Sequence, residues 1–136
     1  MKRIGLMGLI GLMSLMGLIG CSNEKSPEEQ AMAAAKEAAA QYYNYLLAGK
    51  YEQFLDARVG ADSLPADYRA QLIASYKQYI AMQKEHEGIA SFEVSNARID
   101  STSHLIQVFL VLRYGNNEQE EIVVPMVEYN GEWRMK

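Results

Sequence analysis

The spacing of apolar residues changes several times along this chain, and each change predicts a different element. Ile4 to Gly20 is apolar almost throughout and carries no charge over 17 residues. Beyond Pro27 the apolar positions recur every three or four residues: Met32, Ala35, Ala39, Tyr42, Tyr43 and Leu46 make one face of a helix that Gly49 stops. Ser26, Pro27 and Glu29 are a matching start, with Ser as N-cap, Pro in the first turn and Glu three residues after the cap. Lys50 to Arg58 predicts a short second helix with Tyr51, Phe54 and Leu55 on one side. "VGADSLP" reads as a loop. Pro65 opens a third helix ending at Gly88, with Tyr68, Leu72, Ile73, Tyr76, Tyr79, Ile80 and Gln83 at helical spacing.

After Gly88 the period becomes two. Ile89 to Ile99 is strand-like, and His104 to Tyr114 is the clearest strand. Its Ile106, Val108, Leu110 and Leu112 face one way, while Leu105, Gln107, Phe109, Val111 and Arg113 face the other. Gly115-Asn116-Asn117 is a turn, and Glu118 to Tyr129 returns. Asn130-Gly131 predicts a type I′ hairpin, which sets Glu128 opposite Trp133 and Met126 opposite Met135. Ile122, Val124, Met126, Trp133 and Met135 then share a core face. Pro125 implies an open edge or a bulge, because it has no N–H to give a neighbour. Helices followed by strands predict an α+β domain: three N-terminal helices packed on a curved four-stranded antiparallel sheet, cone-like in shape.

The apolar start reads as an address. At about 1.5 Å per residue it spans roughly 25 Å, short for a hydrocarbon core of about 30 Å. Five glycines, Gly5, Gly8, Gly11, Gly17 and Gly20, weaken it as a lasting helix. Lys2 and Arg3 before it complete the pattern of a secretory signal. Leu18-Ile19-Gly20-Cys21 resembles a bacterial lipobox, and Cys21 is the only cysteine. The resemblance implies cleavage before Cys21 and acylation of both its sulfur and the new amino terminus, palmitate being one such acyl group. Several acyl chains hold a protein to a membrane stably where one does not. The organisation expected is a signal peptide over 1–20, a lipidated cysteine and tether over 21–27, and a domain over 28–136. Ser22 after the cysteine points to the outer membrane of a Gram-negative envelope.

Charge narrows the partners. Lys2 and Arg3 are two of 13 basic residues, so the mature chain keeps 11 against 17 acidic ones, a formal −6. Such a domain is a poor nucleic-acid binder. With Cys21 lipidated no thiol remains for a disulfide, so packing alone must hold the fold.

Three stretches resemble a known superfamily. Residues 26–56 look like its first helix and the start of its second, with Gly49-Lys50-Tyr51 where the family has glycine, an acidic residue and tyrosine. Residues 92–127 look like its paired central strands. "EYNGEWRMK" looks like its terminal hairpin. On these, the chain resembles the small lipoprotein domains of the nuclear transport factor 2-like superfamily, also called cystatin-like. The resemblance implies the α+β cone. It leaves function open, since the superfamily holds isomerases, dehydratases and non-catalytic binding domains.

Catalytic relatives of the ketosteroid-isomerase type imply a carboxylate base with a tyrosine donor in the cone. Here Tyr42, Tyr43, Tyr76 and Tyr79 are the donors on offer, and Asp56, Asp62, Asp67 and Asp100 the carboxylates. Asp62 and Asp67 read as helix caps, Asp100 as a turn residue and Asp56 as water-facing. His86 and His104 form no site by spacing, no metal motif is present, and no cofactor is expected. Glu118, Glu120 and Glu121 read as a solvated sheet edge. The sequence thus predicts a non-enzymatic envelope lipoprotein that binds a ligand or protein. A pocket of Tyr42, Tyr76, Tyr79 and Trp133 is one candidate site. The outer sheet face (Phe109, Val111, Val123, Val127, Tyr129) is the other, for a homodimer or a protein partner. The alternative is a small isomerase or dehydratase using a Tyr/Asp pair.

Overall fold

A computed structural model of the chain describes residues 26–136. The signal segment, Leu18, Ile19, Gly20 and Cys21 lie outside the described residues. Within them the order is α1 (Pro27–Leu47), α2 (Tyr51–Asp56), α3 (Ala66–Met82), then β1 (Ile89–Asp100), β2 (Leu105–Tyr114), β3 (Gln119–Tyr129) and β4 (Glu132–Met135). The strands form an antiparallel meander in the order β1-β2-β3-β4. The α+β architecture expected from the patterning is present.

Local chemistry sets the helix ends. The Glu29 N–H donates to Ser26 Oγ at 3.1 Å and the Ser26 N–H donates to Glu29 Oε1 at 3.0 Å, a reciprocal capping box. At the other end Gly49 takes φ +78°, and the Lys50 N–H reaches back to the Tyr45 carbonyl at 2.8 Å. That left-handed residue is why a glycine ends α1.

α3 is shorter than its pattern predicts. The α-helix stops at Met82 and a 3-10 turn, Gln83–His86, carries the chain on. Glu87 turns left-handed at φ 64°, and the Gly88 N–H donates to the Gln83 carbonyl at 2.8 Å. α3 is also less deeply buried than α1 and α2. None of its residues is buried, and Tyr68 is 48% exposed. Along its apolar stripe Tyr76 and Ile80 pack half-buried against the core, while Tyr68, Leu72 and Tyr79 border surface depressions. Asp62 and Asp67 make no capping bond, since Gly60 and Pro65 occupy the cap positions. His104 lies one residue ahead of β2 at φ 58°.

The sheet follows its alternation. β2 alternates buried and half-buried residues along most of its length, with Val108, Leu110 and Leu112 fully buried. Glu128 pairs with Trp133 and Met126 with Met135. The turn between them holds Asn130 at φ 52° and Gly131 at φ 82°, the positive pair that type I′ requires. Irregularities in β1 at Ile89/Ser91 and Val94/Asn96 bend that edge. Pro125 sits in register opposite Gln107 with no bulge. Its carbonyl accepts the Lys136 N–H at 3.0 Å, on the side where β4 has ended. The missing proline N–H would face Lys136 as well, whose carbonyl accepts from the Arg58 guanidinium at 3.2 Å instead.

Ala35, Ala39 and Leu46 of α1 and Phe54 of α2 share one core with Ile106, Val108, Leu110, Val124, Met126 and Met135. Tyr42, Tyr43, Tyr76, Ile80, Phe92 and Trp133 pack around it, half-buried. No helix among the described residues is long and apolar enough to cross a membrane.

Candidate functional site

The tyrosines singled out by helical spacing do not converge on one pocket. Tyr42 borders a shallow depression of about 250 Å³ with Asp56 and Arg134. Its hydroxyl donates to the Trp133 carbonyl at 2.5 Å, which ties α1 to β4. Burial is the main cause that raises its pKa. Asp56 also pairs with Arg69, at 2.9 Å. Tyr76 lines a separate groove of about 290 Å³ with Leu55, Leu64 and Leu72. Tyr79 lines a third depression at the far end of α3. Trp133 is half-buried against the core. Asp100 accepts the Thr102 and Ser103 N–H groups at 3.1 and 3.3 Å, the turn its position implied.

The Tyr76 hydroxyl is buried and has no hydrogen-bond partner. An unsatisfied buried hydroxyl costs about 1–3 kcal/mol. Tyr76→Phe removes that cost while keeping the ring edge-on to Phe54, with centroids 5.0 Å apart. The expected result is a stability gain of about 1 kcal/mol, read as a higher urea midpoint with an unchanged slope. A loss of stability would mean that the hydroxyl has a partner in solution.

The richest polar arrangement lies where the 3-10 turn after α3 meets the hairpin between β2 and β3. The two segments are stitched by backbone. The Gly115 N–H donates to the Gly88 carbonyl at 2.9 Å, and the Asn116 N–H to the His86 carbonyl at 3.2 Å. Between the walls is an open cleft of about 770 Å³ lined by Tyr79, Gln83, His86, Tyr114, Glu118, Gln119, Glu120 and Ile122. His86 Nδ1 lies 2.7 Å from Glu118 Oε1, and its ring lies 5.1 Å from that of Tyr114. The Tyr114 hydroxyl donates to Glu120 Oε1 at 2.6 Å. Hydrogen bonds from Asn116, then His86, hold the Glu118 pKa low. Tyr114 is pushed up, first by burial and then by its bond to Glu120. Tyr79 is raised by burial and then by the Glu120 charge.

Sequence reasoning missed this cleft. His86 and Glu118 are 32 positions apart, and only the tertiary fold brings them together. The glutamates read as a sheet edge are, at Glu118 and Glu120, cleft walls. The one local clue was the Gly115-Asn116-Asn117 turn, which aims the hairpin tip.

The sheet's outer face has a different character. Phe109 pairs with Val123, and Val127 with Arg134. Val123 is 49% and Tyr129 46% exposed. Around this apolar stripe stand charged groups: the Arg113–Glu93 ion pair, Arg98 over the Phe109 ring at 5.6 Å, and Arg134 over the Tyr129 ring at 5.9 Å.

No protein-family profile matches the chain, and no curated protein does. Among solved structures it is similar to a Campylobacter jejuni protein described as a candidate NTF2-like transpeptidase. The TM-score is 0.57 at 10% identity, covering 81% of this chain and 97% of that one. An identity that low speaks to the backbone alone, and the helices followed by a four-stranded meander agree with it. The described domain therefore has the nuclear transport factor 2-like α+β fold that the three sequence stretches resembled.

Proposed function

We propose that this chain is an envelope lipoprotein whose domain is a non-catalytic binding module. Acyl chains on Cys21 hold it to the outer membrane, and its outer sheet face receives a protein partner or a second copy. The observation that carries the binding role is the apolar stripe on that face, where Val123 and Tyr129 are each nearly half exposed inside a charged rim. An apolar centre with a polar border is the usual anatomy of an interaction surface. The anchor rests on the positive start, the apolar run and Leu18-Ile19-Gly20-Cys21.

The middle of the cone's inner side does not favour the isomerase alternative. It is filled by Leu110, Leu112, Met126 and Val108, all fully buried, and that side opens toward the β2–β3 hairpin. Tyr42 and Asp56 do border one depression, but it is shallow and each already has a partner. Peptidyl transfer, the reaction in the neighbour's description, commonly proceeds through a nucleophile activated by a base. The His86–Glu118 pair resembles such a base, yet among the described residues no Ser, Thr or Cys lines its cleft.

Metabolic labelling with palmitate tests the anchor. The full chain takes up label and fractionates with the outer membrane, and Cys21→Ser loses both. Label retained by Cys21→Ser would overturn the anchor. Crosslinking in cells tests the surface: Val123→Glu is expected to remove a crosslinked species that the wild type shows. A species unaffected by Val123→Glu would place the interface elsewhere.

A further inference from the structure

The cleft between α3's end and the β2–β3 hairpin has a lining that selects a ligand class. Among the described residues no Lys or Arg lines it, so an anion would find no countercharge there. Its two carboxylates already have partners: Glu118 holds His86 at 2.7 Å, and Glu120 holds the Tyr114 hydroxyl at 2.6 Å. These pairs fix the geometry and leave accepting capacity on both carboxylates, together with Nε2 of His86. Gln119 borders the cleft between them. Tyr79 is 37% exposed and offers the cleft an aromatic ring, and Ile122 lies in the same wall.

We propose that this cleft binds a neutral carbohydrate. A sugar ring presents hydroxyls that donate and accept, and it has an apolar C–H face. The fixed carboxylates and imidazole match the hydroxyls, and the Tyr79 ring matches the C–H face. The volume of about 770 Å³ falls in the usual range for small-ligand sites, about 300–1,000 Å³. The walls are set before any ligand arrives. A Cβ on Gly115 would meet the Glu87 backbone oxygen, so the hairpin tip lies directly on the turn that carries His86. Pre-set walls lower the ordering cost of binding. The site deepens the binding reading and stands apart from the outer sheet face.

The test uses the full chain in lipid nanodiscs against an array of neutral oligosaccharides that includes chitotetraose and maltotetraose, with spermine as a cationic probe. Binding to at least one neutral glycan is expected. Tyr79→Ala should weaken it tenfold or more, and Tyr79→Phe should keep it because the ring remains. Val123→Glu should leave it unchanged, which separates this site from the partner face. Failure of every neutral glycan to bind, spermine binding in their place, or glycan binding that survives Tyr79→Ala would each overturn the proposal.

Discussion

Leu110→Ala is expected to lower the unfolding free energy by about 3 kcal/mol, within the range of roughly 2–5 kcal/mol for emptying a buried leucine site. Leu110 lies in the middle of β2, fully buried, between Val94 on β1 and Ile122 on β3. Backbone pairing on both sides holds those strands in place, so the space left behind cannot readily collapse. Two penalties add: the transfer free energy of the removed carbons and the dispersion attraction that the cavity lining forfeits. The urea midpoint should fall while the slope stays constant, because the surface exposed on unfolding is nearly the same. Val123→Ala on the same sheet's outer face should change stability by less than about 0.5 kcal/mol. Should Leu110→Ala cost under about 1 kcal/mol, the cone would be loosely filled. The small-enzyme alternative would then regain its substrate cavity.

Gly115→Ala is expected to cost about 2 kcal/mol, by overpacking at a backbone contact. The added Cβ would overlap the Glu87 carbonyl oxygen and lie 2.9 Å from the Glu87 Cβ. Neither atom ends a flexible side chain, so relief requires the hairpin tip and the turn to part. Parting them strains the Gly115–Gly88 and Asn116–His86 backbone bonds and draws Glu118 away from His86. The thermal midpoint should drop by about 8 °C for a domain of this size. Gly60→Ala is the matched control. Gly60 has φ +83°, and a methyl group there would meet nothing within 4 Å, so only backbone strain of about 1 kcal/mol applies. Equal losses at the two positions would show that the Glu87 contact is soft.

Much of this architecture was legible because it depends on neighbours in the chain. The Ser26–Glu29 capping box, the left-handed Gly49 and the Asn130-Gly131 turn are each decided within a few residues. The hairpin turn then fixes the Glu128–Trp133 and Met126–Met135 register, since a two-residue loop allows no other pairing. Alternation along β2 told the buried face from the half-covered one.

Burial of α3 was not legible. An apolar stripe says which residues share a face, and it cannot say whether that face meets a core or a cleft. Tyr76 and Tyr79 are three residues apart on one helix, yet they line different depressions, because different elements stand opposite each. By itself the sequence determined the order of elements, the register of the last hairpin and a start that reads as an address, through local turn chemistry and periodicity. Only the tertiary structure decided that the cone's inner face is filled and that His86, Tyr114, Glu118 and Glu120 share a cleft. Those outcomes depend on which segments distant in sequence meet, and no local preference encodes that.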